Sequence, residues 1–101
     1  MTIKLLILKS YEDVIAEVTE MFSGSVVVGY VLNNPYLLRL EDKNQELPTR
    51  VSFYPYAPLS KDKSVNIPCD WVVSILEPLD EIKTSYVEKV NGKSENFDIK
   101  E

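Results

Sequence analysis

A chain of 101 residues, 45% hydrophobic and 27% charged, has the balance of one folded domain with a real core, and its composition excludes a disordered or low-complexity protein. The formal charge of -5 is unevenly spread: residues 1–75 hold seven Lys/Arg against nine Asp/Glu, so the body is nearly neutral and the C-terminal stretch is acidic. No basic run marks the phosphate-binding face of a duplex binder, and with no histidine and only Cys69 the chain cannot form an intrachain disulfide, a Cys/His zinc site or a histidine-based catalytic set.

The opening MTIKLLILKS has a short apolar run but no small-residue cleavage site, and no segment approaches the roughly 18 apolar residues of a bilayer span. The expectation is a cytoplasmic protein with no membrane partner. IKLLILKS reads as a strand, YED as a polar reversal, and VIAEVTEM as a second strand with Val14, Ala16 and Val18 on one face and Glu17 and Thr19 on the other. SGS at 23–25 is a turn, and VVVGYVL resumes with β-branched residues, Gly29 marking a bulge or sharp bend.

Asn33-Asn34-Pro35 carries turn chemistry, because Asn tolerates left-handed geometry and Pro fixes φ, so the chain is expected to reverse there. YLLRLED alternates again, and KNQELPT is a polar loop. In RVSFYPYAPL, Pro55 has no amide hydrogen, which points to an edge strand or a strand end. VNIPCDWVVSIL reads as one further strand with an irregular start at Pro68, closed by Pro78. From Leu79 the period becomes helical: Leu79, Ile82, Tyr86 and Val90 share a stripe, acidic residues fill the first turn, and Asn91-Gly92 is a C-terminal stop. The predicted organisation is a β-domain over 1–78, a C-terminal helix over 79–92 on or beside it, and a tail over 93–101. An all-β small barrel is favoured over an open sheet, because closure hides strand edges.

Two stretches carry a family resemblance. GYVLNNPYLLRLED, residues 29–42, resembles the first signature of Sm and Sm-like proteins, with Leu38, Leu40, Glu41 and Asp42 fitting its Leu-x-Leu-acidic ending. IPCDWVVSI, residues 67–75, is similar to the second signature, with Pro68 and Cys69 in place of the usual Arg-Gly. As a whole, residues 3–92 resemble a group of marine phage proteins of the cyanophage type that are regarded as Sm-like. That resemblance implies a strongly bent, five-stranded antiparallel Sm-like (SH3-like) barrel, here with one C-terminal α-helix, whose copies close into a homo-oligomeric ring of five to seven subunits by edge-strand pairing. It also implies binding of single-stranded RNA or DNA, in a host cytoplasm if the chain is phage-encoded. Leu37 stands where the family has its base-contacting Asn, and the Arg of the second signature is missing, so the ring can be inherited without the base pocket.

The residues expected to meet nucleic acid are Asn33, Asn34, Tyr36, Pro68, Cys69 and Asp70: two amides beside an aromatic can read base edges and stack on a base. Their plain alternative is turn chemistry. The expected subunit interface is Arg50, Ser52, Tyr54, Tyr56, Trp71 and Val73, with Phe53 turned to the core and Tyr54 and Tyr56 on the opposite face. Base stacking, plain surface and core stay open for the two tyrosines. Lys61 and Lys63, alternating with Asp62, read as a solvated loop with phosphate contact as the alternative, and Cys69 as a small buried or half-buried side chain. Adjacent carboxylates at Glu12-Asp13 and Glu41-Asp42 point to opposite faces of a strand, so no paired acid–base site and no enzyme is expected. No cofactor or resident metal is expected, with an oxygen-ligand site between subunits left open. The functional expectation is a ring-forming protein that binds single-stranded nucleic acid weakly per subunit and multivalently, with a role in RNA or DNA processing. The alternative is a structural or adaptor phage protein whose ring binds protein partners.

Overall fold

The structure, a computed structural model, describes residues 2–41 and 50–92. Asp42, the polar loop at 43–49 and the tail at 93–101 lie outside them. The elements are β1 (Thr2–Leu8), β2 (Asp13–Ser23), β3 (Val26–Glu41), β4 (Arg50–Pro55), β5 (Ser64–Pro68), a 3-10 turn (Cys69–Trp71), β6 (Val72–Leu76) and α1 (Asp80–Val90). The strands form one 6-stranded sheet in the order β4-β3-β2-β1-β6, with β5 also on β3, and every pairing is antiparallel.

β2 and β3 meet through a two-residue turn between paired Ser23 and Val26, where Gly24 takes the left-handed φ of 66° that such turns need. The bulge expected at Gly29 is present: Met21 pairs with Gly29 and Phe22 with Val27, so Val28 is the extra residue. Gly29 also lets β5 approach, since a Cβ there would stand 2.6 Å from the carbonyl oxygen of Ile67.

The reversal expected at Asn33-Asn34-Pro35 does not occur, because β3 runs straight through them. Ile15 pairs with Tyr36 and Glu17 with Asn33, so Asn34 and Pro35 together oppose Ala16. Asn34 adopts φ 52°. A left-handed Asn followed by a donorless Pro suits a strand bulge as well as a hairpin, and here it bends the strand.

The same bulge divides the opposite edge. β4 pairs with residues 41 down to 36 of β3 and stops at Pro55, and the Tyr56 amide then donates to the carbonyl of Pro35 (3.1 Å). The chain leaves the sheet and returns where the Asn34 amide donates to the carbonyl of Lys63 (2.7 Å), after which β5 pairs with Asn33 down to Gly29. The strand expected over RVSFYPYAPL thus ends at Pro55 as β4, and the sheet has six strands rather than five. The expected strand over VNIPCDWVVSIL is likewise divided, by the 3-10 turn that carries the chain from β5 on β3 to β6 on β1.

One sheet face holds the main core: Leu6 and Leu8 of β1, Val14 and Ala16 of β2, Leu32 of β3 and Ile67 of β5, with Val18, Tyr30, Leu37, Tyr56, Val65 and Val72 packed around them. The period-2 alternation of β2 accounts for Val14, Ala16 and Val18. Ile15, equally buried but outside that cluster, faces the other way. On that side Tyr86 of α1 is buried, and the Tyr36 ring meets both Tyr86 (centroids 6.1 Å apart) and Phe53 (6.4 Å) edge-on. Phe53 thus belongs to this second cluster and not to the main core, while Tyr56, expected on the non-core side, packs against the main core. Both faces carry packed side chains because Tyr86 of α1 is buried against the second one.

α1 matches its sequence pattern, with Asp80 and Glu81 in the first turn and Asn91 as C-cap, followed by Gly92 at φ 85°. The β1–β2 turn holds Tyr11, 92% exposed, at φ 69°, a conformation that costs a bulky L-residue roughly 1–2 kcal/mol. Tyr11→Asn is expected to raise stability by about 0.5–1 kcal/mol in urea unfolding; an unchanged midpoint would show that the turn is not strained.

Candidate functional site

The six residues expected to meet nucleic acid fall into two groups. Asn33, Asn34 and Tyr36 sit at the β3 bulge, whereas Pro68 pairs with Gly29 at the far end of β5 and leads into Cys69 and Asp70. The four-residue offset along β3 separates the groups by about 13 Å. Cys69 is exposed, contrary to its expected burial, because the 3-10 turn that holds it buries none of its residues.

Asn33 and Asn34 differ in availability. The Asn33 side chain donates to the carbonyl of Glu17 (3.4 Å) and accepts from the Ser64 hydroxyl (2.6 Å), so its amide is committed to holding β2, β3 and β5 together. The Tyr86 hydroxyl donates to the carbonyls of both Asn33 and Asn34, each at 3.0 Å. Those carbonyls are turned out of the ladder by the bulge, and one phenol satisfies the pair. Burial, reinforced by the nearby carboxylate of Glu17, raises the Tyr86 pKa well above its ordinary 10.0. The Asn34 side chain has no hydrogen-bond partner among the described residues.

Beside the bulge lies a cavity of about 310 Å³, formed where the 56–63 excursion leaves and rejoins β3. Asn34 and Tyr36 line it from β3, and Tyr56, Lys61, Asp62 and Lys63 from the excursion. Lys61 and Lys63 form no ion pair among the described residues. Desolvation, then the charge of Glu12, raises the pKa of Tyr56. Sequence alone favours an interface role for Tyr56 and a solvated loop, or phosphate contact, for the two lysines. The usable signal was Pro55 and Pro58 around an SKDKS stretch, which becomes a site only when both flanking strands are known to return to one bulge.

The residues expected at a subunit interface lie on the open edges. Among the described residues β4 bonds only to β3, and Ser52 is half-buried there. Tyr54 is exposed under the Arg39 guanidinium, 5.5 Å from the ring centroid. Arg50 pairs through its backbone with Glu41, and its side chain lies outside the described residues. Among the described residues β6 bonds only to β1 and exposes Val73 (61%), Ile75 and Leu76, close in sequence to the 3-10 residue Trp71 (41%). After β6, Glu77 is bridged by the ammonium of Lys4, whose hydrogen bond and charge lower the Glu77 pKa.

Among the described residues no group of three or more His, Cys, Asp or Glu could hold a metal ion, and no helix is long and apolar enough to cross a membrane. No protein-family model matches the chain, and no curated protein matches it.

Proposed function

We propose that the chain is a ring-forming Sm-like barrel module that binds single-stranded RNA or DNA weakly at each subunit and firmly across the ring. The observation that carries this reading is a pair of edges open among the described residues: β4 ends one side of the sheet, and β6, an uncharged VVSIL strand, ends the other. Native sheets protect their edges with charge, proline or cover. Among the described residues nothing of the kind protects β6, and its exposed Val73, Ile75 and Leu76 suit a β4 edge of a second copy. An edge that pairs head to tail is heterologous and closes into a ring when the rotation allows. Repeating one weak site around a ring raises affinity without a basic surface, which accommodates the charge of -5.

Val73→Lys tests the assembly. An exposed residue changes monomer stability by about 0.5 kcal/mol at most, so thermal unfolding is expected to stay near wild type while the mass by light scattering falls to that of a monomer. Oligonucleotide anisotropy on the same samples is expected to show saturable binding by the wild type and a large loss of affinity for the variant. A ring that binds neither RNA nor DNA would instead support the protein-adaptor reading, to which the acidic charge and the apolar β6 edge also lend themselves.

A further inference from the structure

We propose that the cavity between the β3 bulge and the 56–63 excursion binds one nucleotide, its base against the tyrosine wall and its phosphate between Lys61 and Lys63. The cavity, about 310 Å³, is at the small end of the range for small-molecule sites, which combine an apolar wall with a few placed polar groups. Tyr36 and Tyr56 line the cavity together with Pro35, Pro55 and Pro58, and aromatic side chains are groups on which any base can stack. The side-chain amide of Asn34, without a partner among the described residues, offers both a donor and an acceptor to a base edge. Lys61 and Lys63, in no ion pair among the described residues, offer two ammonium groups, offset in part by the carboxylate of Asp62 between them. Both walls are fixed to the same short piece of β3, through the Pro35 carbonyl and the Asn34 amide, so the cavity forms without a ligand to close it.

The site deepens the nucleic-acid reading and rests on it for its source of ligand. The shared chemistry is a base joined to a phosphate, supplied either by a free mononucleotide or by one unit of a strand. It excludes the Pro68–Asp70 turn, which lies along β5 from the cavity.

The test is isothermal titration of the full chain with adenosine 5′-monophosphate, uridine 5′-monophosphate, inorganic phosphate and a single-stranded RNA hexamer. Asn34→Gly keeps the left-handed backbone and removes the amide, and Lys61→Ala/Lys63→Ala removes the cations from exposed positions. Saturable binding of a mononucleotide or of the hexamer, weakened about tenfold by the double lysine variant and several-fold by Asn34→Gly with the oligomeric mass unchanged, is the expected result. Mononucleotide binding without hexamer binding would uphold the pocket and remove the single-strand reading. Hexamer binding that none of these variants weakens would overturn the pocket and leave the single-strand reading standing. Binding of neither ligand would overturn the pocket.

Discussion

Gly29→Ala is expected to cost about 2–3 kcal/mol of stability, a large share of the roughly 5–15 kcal/mol that a domain of this kind possesses. The added Cβ would stand 2.6 Å from the Ile67 carbonyl oxygen and 2.7 Å from the Met21 terminal methyl. The methionine can swing aside. The carbonyl belongs to β5, which pairs with β3 from Gly29↔Pro68 to Asn33↔Ser64, so relief requires that ladder to part. The loss is expected as a lower urea midpoint, with faster hydrogen exchange in β5 than in β1 and β2. Met21→Ala in the same chain should recover little. Wild-type stability for Gly29→Ala would mean that the close approach of β5 at the bulge is absent.

The second large effect is at Tyr86. Tyr86→Ala removes a buried ring and is expected to cost about 3–5 kcal/mol, together with the helical part of the far-UV circular dichroism. An 11-residue helix is marginal by itself, and among its residues only Tyr86 is buried. Tyr86→Phe keeps the ring and leaves two bulge carbonyls without their donor, for a loss of about 1–2 kcal/mol with the helix retained. The phenol also sets a pH dependence. Its folded pKa is raised above the ordinary 10.0, so the stability it contributes is complete below pH 10. Above that pH the unfolded tyrosine gives up its proton while the folded one holds it, and stability falls as pH rises. Tyr56, raised in the same direction, adds to the decline. Tyr86→Phe should flatten this alkaline limb; an identical limb in the variant would place its origin elsewhere.

These two positions show which parts of the architecture were legible. Gly29 could be read as a bulge because a glycine within a β-branched run has few other uses. The stripe that includes Tyr86 marked a helix because its period left no other choice. The face that the helix would cover was not legible, since β-alternation divides residues into two sets without saying which set is inside. Phe53 and Tyr56 each pack in a cluster of their own, one beside Tyr86 and one at the main core, a division that alternation alone does not reveal. Asn33-Asn34-Pro35 misled because the same local chemistry serves a hairpin and a bulge, and the choice depends on β2 and β5, distant in sequence. The candidate site was half legible: Asn34 and Tyr36 were found from side-chain chemistry, whereas Lys61, Lys63 and Tyr56 join them only through two backbone hydrogen bonds to the bulge.

Assembly and binding meet in one determination, the molar mass of the wild-type chain by light scattering across a range of concentrations, with and without a single-stranded RNA hexamer. The expected result is a closed oligomer of several 11.6 kDa chains, unchanged in subunit number on dilution and increased in mass by bound RNA. A particle of 11.6 kDa at every concentration, with no gain in mass from RNA, would contradict both the edge-paired ring and its nucleic-acid site.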